Sequence, residues 1–202
     1  VTALGMVTLL LFVDFNTISP GANDNLTGTY AAVCALRMLD MAGIDFENTE
    51  VCAMITDGEE AGLRGCKQWA KDHYDEYVNS GVETAVLCVD TLADLEYLRV
   101  YNKDMTGTVK NSQQFSQLVM DSAKDSGHND LEFSSVYFGS SDAAAFSQAG
   151  ITATCLAAMD PKPADYYHNR RDTAERLVPE AIKTGFDVII STILNFDEKG
   201  LN

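Results

Sequence analysis

Apolar residues recur along the chain in two registers. Short, dense apolar runs at 5–13 (GMVTLLLFV), 50–56 (EVCAMIT), 83–89, 97–101, 132–137 and 151–157 predict strands. Longer amphipathic segments between them predict helices over 26–42, 61–79, 111–126, 142–149 and 174–195. The runs at 7–13 and 51–55 show no alternation, the mark of strands covered on both faces in a mostly parallel sheet. Gly43 closes the first helix and Ser80-Gly81 the second. Leu177, Ala181, Thr184, Val188 and Thr192 share a spacing that buries one face of the last helix. Strands alternating with helices predict an α/β fold, a mixed, mostly parallel sheet sandwiched between helices. No repeat, low-complexity tract or linker interrupts it, so 1–202 reads as a single domain of ordinary size.

In open α/β sheets the site forms beyond the carboxyl ends of the strands. Acidic residues return to that edge repeatedly. Asp14 and Asp24 follow the first predicted strand, Asp57, Glu59 and Glu60 the second, and Asp90 the third; His168 follows the last. No Lys or Arg adjoins any of these acids in the sequence, which makes a cation their natural partner.

Each motif alone has a plain structural reading. In SPGANDNLTG (19–28), Asp24 or Asn25 can simply cap the helix that follows. In TDGEEAGLRG (56–65), two adjacent glutamates can favour the dipole of the next helix's first turn. They also match what a zinc hydrolase requires, one acid to bind metal and a neighbour to take a proton from the attacking water. LCVD (87–90) ends a strand in a carboxylate, and YYHNRRDT (166–173) holds one of only three histidines. His73 and His128 lie in charged or polar surroundings and read as solvated. Asp172, close behind His168, is a candidate carboxylate for fixing its tautomer.

Composition narrows the partners. Lys and Arg number 14 against 30 Asp and Glu, a net charge of −16, which excludes a nucleic-acid backbone as partner. The apolar opening has no basic leader and is too short to span a membrane. Five cysteines, an odd number without a CxxC pair, favour a reducing compartment, with export left open if a segment precedes Val1. Cys34, Cys52, Cys88 and Cys155 sit in apolar runs and read as small buried hydrophobes.

Taken in order, SPGANDNLTG, DGEEAGLRG, VD, SSDAAAF…AGI and YHNRRDT resemble the zinc aminopeptidase family, over residues 5–190. Its relatives include bacterial leucyl aminopeptidases, glutamate carboxypeptidases, glutaminyl cyclases and the transferrin-receptor ectodomain. The resemblance implies a two-metal site. Asp24 matches the bridging carboxylate, often followed by a cis peptide. Glu59 matches the general base, Glu60 and His168 the ligands of one metal, and Asp90 the ligand of the other. In the family a His-x-Asp sequence ends the first strand; here it is Phe12-Val-Asp14. Asp14 is retained as an orienting residue, but the histidine ligand is Phe12. The family also has about two further strands ahead of residue 1.

The resemblance therefore implies one tightly bound zinc on Asp24, Glu60 and His168, and a weaker second ion. The expected activity is release of N-terminal residues from peptides or small aminoacyl substrates, with Tyr166 and Tyr167 as candidate donors to the oxyanion. Two other readings stand beside it: a single-zinc acyl transferase like glutaminyl cyclase, and a binding module of the same fold with a degraded site. Oligomeric state has no signature in the sequence.

Overall fold

The computed structural model describes residues 16–162 and 164–201. The predicted strand at 5–13, with Phe12 and Asp14, lies outside them. The described strands are β1 (Val86–Asp90), β2 (Leu98–Asp104), β3 (Val109–Lys110), β4 (Phe133–Ser135) and β5 (Ala153–Ala158). The helices are α1 (Gly28–Met41), α2 (Arg64–Asp72), α3 (Tyr74–Tyr77), α4 (Gln113–Asp125), α5 (Asp142–Gln148) and α6 (Pro179–Lys199). β5 lies between β1, which it meets in parallel, and β2, which it meets antiparallel. β2 in turn carries β4 in parallel and β3 antiparallel. The sheet is mixed, as the sequence predicts.

Period-two alternation divides the core. From β5, Leu156 and Ala158 join Leu98 and Val100 of β2 on one face, under α1, α4 and α6. Ala153, Cys155 and Ala157 join Tyr101 on the other, under α2 and α5. Phe146 of α5 is fully buried there, and such a side chain contributes about 1.5–3 kcal/mol of hydrophobic stabilisation. Helices cover both faces, and the parallel strands β1 and β5 end at the same edge of the sheet.

Several expectations require correction. The run 50–56 makes no ladder hydrogen bonds among the described residues, and Cys52 and Ile55 are exposed; its expected neighbour at 5–13 lies outside those residues. Cys34 is exposed as well, whereas Cys155 is buried and Cys88 half-buried. The predicted helix at 61–79 begins only at Arg64, because Gly62 and Leu63 take positive φ (96° and 59°). It also breaks at His73. The last helix begins at Pro179, whose fixed φ and missing N–H suit a first turn, and a 3-10 turn occupies 174–176. Its buried face keeps Ala181, Val188 and Thr192 but takes Gly185 in place of Thr184. His128 is not simply solvated: its Nε2 lies 3.2 Å from Asp187 Oδ2. Among the described residues, no helix is long and apolar enough to cross a membrane.

Candidate metal centre

Three loops at the open sheet edge deliver the site. The first, 22–27, is a kinked turn ahead of α1 that contains a cis peptide between Asp24 and Asn25, as the resemblance implies. Asn25 clamps this turn to the end of β1. Its Nδ2 donates to the Val89 carbonyl (2.9 Å), and its Oδ1 accepts from the N–H groups of Gly28 (2.9 Å) and Thr91 (3.2 Å). The approach is so close that a Cβ on Gly28 would lie 2.3 Å from the Val89 carbonyl oxygen. Asn23 is buried, and its Oδ1 accepts from the Ala93 N–H (3.0 Å).

Asp172 holds the same turn from the other side. It is fully buried; Oδ1 accepts from the Asn23 N–H at 2.8 Å and Oδ2 from the Asp24 N–H at 2.9 Å. The sequence suggests Asp172 as the partner of the His168 ring. The structure turns it toward the consecutive backbone N–H groups of Asn23 and Asp24 instead.

The second loop precedes α2. Glu59 and Glu60 are not in a helical first turn: the Glu59 carbonyl accepts from Gly62 and Leu63 in a tight turn, so a helix dipole does not explain the pair. The third loop follows β5 and brings His168 in at a positive φ of 54°, with its ring stacked on Tyr167 at a centroid distance of 3.7 Å. A non-glycine residue in that region signals a backbone over-determined by its surroundings.

These loops converge. His168 Nε2 lies 3.2 Å from Asp24 Oδ2 and 3.0 Å from Glu60 Oε1. One ligand atom from each of the three lies within 4.8 Å of the others. In the metal-free chain, hydrogen bonds to Asp24 and then Glu60 raise the His168 pKa to about 10, so an imidazolium supplies the positive charge that the acids attract. The half-buried Glu59 is raised to about 7, by burial first and then by the Glu60, Asp142 and Asp24 carboxylates. A bound cation would draw it back down.

Asp90, at the end of β1, is pushed far above the carboxylate range by burial and then by Asp24, Glu59 and other acids. Its Oδ1 is buried without a hydrogen-bond partner among the described residues. Unsatisfied buried carboxylate oxygens are rare unless something is meant to meet them. That orphan, beside a three-residue donor set of two carboxylates and an imidazole, fits a zinc-like divalent cation.

The tyrosines separate. The Tyr166 hydroxyl donates to Asp94 Oδ2 and accepts from Asn23 Nδ2 (3.1 Å), while Arg176 lies over its ring. It is committed to tying the third loop to the first. The Tyr167 hydroxyl makes no hydrogen bond among the described residues, and burial followed by Asp24, Glu60, Asp90 and Glu59 keeps it protonated. Sequence reasoning overlooks Asp142. Its Oδ2 accepts from Thr56 Oγ1 (2.9 Å) at the root of the glutamate loop, and its Oδ1 is buried without a hydrogen-bond partner among the described residues. Its place in SSDAAAF, opening a helix, was the available signal.

Comparison with known proteins gives the fold and the family. The chain is 28% identical to aminopeptidase YwaD of Bacillus subtilis over 193 residues, covering 87% of this chain and 37% of that protein. Its fold matches the LapA aminopeptidase of Legionella pneumophila with a TM-score of 0.73 at 17% identity, over 93% of this chain and 49% of LapA. It also matches BSAP, a zinc aminopeptidase from Bacillus subtilis, with a TM-score of 0.64 at 23% identity, over 87% of this chain and 42% of BSAP. The chain thus spans less than half the length of these relatives. Residues 9–193 match the model of peptidase family M28, and with nearly the whole sequence inside that match, the chain belongs to this family.

Proposed function

We propose that this chain is the catalytic part of a zinc-dependent aminopeptidase-like hydrolase that releases N-terminal residues from peptides or small aminoacyl substrates. The observation that carries the reading is the convergence of Asp24, Glu60 and His168, contributed by three separate loops, with Glu59 next to Glu60. Asp24, Glu60 and His168 would hold one zinc tightly, and Asp24 with Asp90 a second ion more weakly. When bound there, zinc supplies the Lewis acidity that makes water nucleophilic near neutral pH. Glu59 takes a proton from the attacking water and delivers it to the leaving amine. Tyr167, its hydroxyl uncommitted and held protonated, donates to the carbonyl oxygen as negative charge develops on it. Asp172 and Asn25 keep the Asp24 turn in place from its two sides.

The division of labour between the glutamates is the test. Glu59→Gln is expected to retain zinc and lose on the order of 10²–10⁴-fold in turnover, the range for loss of a general base. Glu60→Gln is expected to lose zinc as well. Equal zinc loss in both variants, read by elemental analysis after dialysis, would refute the assignment.

A further inference from the structure

The glutamate loop spans 56–63, and both of its ends lead to α5. Its far end passes into α2 and is locked by packing. Leu63, Cys66 and Ala70 are buried with Ala143, Ala144, Ala145 and Phe146 of α5, and Trp69 meets Phe146 edge-on at a centroid distance of 5.8 Å. The near end is held differently. The run 50–56 joins no ladder among the described residues, and its polar tie to another element is the bond from Thr56 Oγ1 to Asp142 Oδ2, at 2.9 Å. Asp142 is the first residue of α5, so one short helix holds the loop at both ends.

α5 is itself fixed where Asp142 stands. Asp104, fully buried at the end of β2, accepts from the Ser141 hydroxyl (2.6 Å), the Ser141 N–H (3.1 Å) and the Met105 N–H (2.7 Å). A path of bonds therefore leads from the sheet through Ser141 and Asp142 to Thr56. The stretch between the loop's ends is closed on itself. The Gly65 N–H donates to the Asp57 carbonyl (2.9 Å) and the Arg64 N–H to the Gly58 carbonyl (3.0 Å). A Cβ on Gly65 would lie 2.3 Å from the Asp57 carbonyl oxygen. The shape of the turn is thus set locally, while its tilt toward Asp24 and His168 is set at its ends. Asp142 also stands close enough for its charge to raise Glu59, after burial and Glu60.

We propose that Asp142 is a positioning residue: through Thr56 it fixes the tilt of the glutamate loop, and so where Glu59 stands relative to Asp24 and His168. The proposal rests on the hydrolase reading above and adds to it a residue outside the metal-ligand set. The hydrogen bond does the positioning, not the charge, so a neutral side chain at 142 that still accepts from Thr56 should serve.

The experiment compares the zinc-loaded parent chain with Thr56→Val, Thr56→Ser, Asp142→Ala and Asp142→Asn. A panel of aminoacyl aminomethylcoumarin amides supplies the substrate that the parent cuts fastest, and rates are expressed per bound zinc. Thr56→Val and Asp142→Ala are each expected to lower kcat about 10–100-fold, because a misplacement of about 1 Å can cost about 10²-fold. KM is expected to stay within ~2-fold, the mark of an interaction that matters in the transition state. Thr56→Ser keeps the donor and Asp142→Asn keeps an acceptor, so each is expected to recover most of the loss. Thr56→Val combined with Asp142→Ala is expected to be no slower than the slower single variant, since both break one bond. A merely structural role would lower the number of zinc-loaded molecules and leave kcat per bound zinc unmoved. That result, additive losses in the double variant, a loss carried by KM alone, or Asp142→Asn as slow as Asp142→Ala would each overturn the proposal. If the parent cuts no amide, the hydrolase reading fails instead. Positioning is then read from amide hydrogen exchange. Thr56→Val and Asp142→Ala are expected to speed exchange at Arg64 and Gly65 at least ~10-fold, with α4 unmoved and Thr56→Ser matching the parent. Exchange at Arg64 and Gly65 equal to the parent's would overturn the proposal.

Discussion

Asp172 offers the sharpest test of how the centre is held. Its two oxygens accept the N–H groups of Asn23 and Asp24 at 2.8 and 2.9 Å, and the residue has no exposed surface. Asp172→Ala removes both acceptors at once. A hydrogen bond to a carboxylate contributes about 1.5–3 kcal/mol. The Asn23 N–H would stay buried with nothing to meet it, while water can reach the half-buried Asp24 N–H. The expected loss is therefore about 3–5 kcal/mol, a large share of the roughly 5–15 kcal/mol that stabilises a domain. Asp172→Asn keeps one acceptor and turns an amide donor toward the other N–H, so a loss of intermediate size is expected. Urea unfolding of the zinc-free chain measures both. Competition with a chelator then reads zinc affinity, expected to fall about 10–100-fold as the Asp24 turn loosens. A loss under about 1 kcal/mol for the alanine variant, with zinc affinity unmoved, would refute the reasoning.

His168 makes the zinc-free chain sensitive to pH. Its pKa rises to about 10 through Asp24 and Glu60, above the unfolded value of about 6.5. The resulting stability is fully present below about pH 6.5 and lost as pH climbs through about 10; melting temperatures that stay flat over that window would sink the assignment. Zinc must expel that proton, so its apparent affinity is expected to weaken as pH falls below about 10, which chelator competition at several pH values checks. Phe12→His restores the imidazole that the resemblance places at that position, and zinc per chain is expected to rise from about one toward two, with a gain in melting temperature when zinc is present. An unchanged zinc content would count against the weaker second site involving Asp90.

What the sequence discloses and what it hides follow the range of the interactions. Strands β1, β2, β4 and β5 are legible as dense apolar runs, and the long helices by the helical spacing of their buried residues. Leu156 and Ala158 face one way and Cys155 and Ala157 the other. β3 is illegible, because a two-residue pairing leaves no period to read. The start of α2 is displaced by the left-handed turn at Gly62 and Leu63, which a helical pattern of apolar residues does not register. Among the candidate ligands, Asp24, Glu60 and His168 are recoverable as types at strand ends, and the structure brings them together. Their supports are not. Asp172 meets the Asp24 N–H across 148 positions of chain, and Thr56 meets Asp142 across 86. Nothing local distinguishes a carboxylate that grips backbone from one that orients a ring.

That asymmetry has a physical consequence for the centre. Asp24, Glu60 and His168 repel or attract one another according to the charge between them, and only a cation or a proton on the imidazole makes the set favourable. The residues around them, Asn23, Asn25, Asp172 and Tyr166, bind backbone, one another or the Asp94 carboxylate, and need no ion to do so. The scaffold can therefore hold the loops before metal arrives, while the ligands await it. Removing zinc should then leave the Asp24 turn intact and release stability only through the ligand set. Losing Asp172, by contrast, should loosen the turn whether zinc is present or not. Stability measured for both perturbations together separates the two: if support and metal act independently their losses add, and if zinc itself holds the turn they do not.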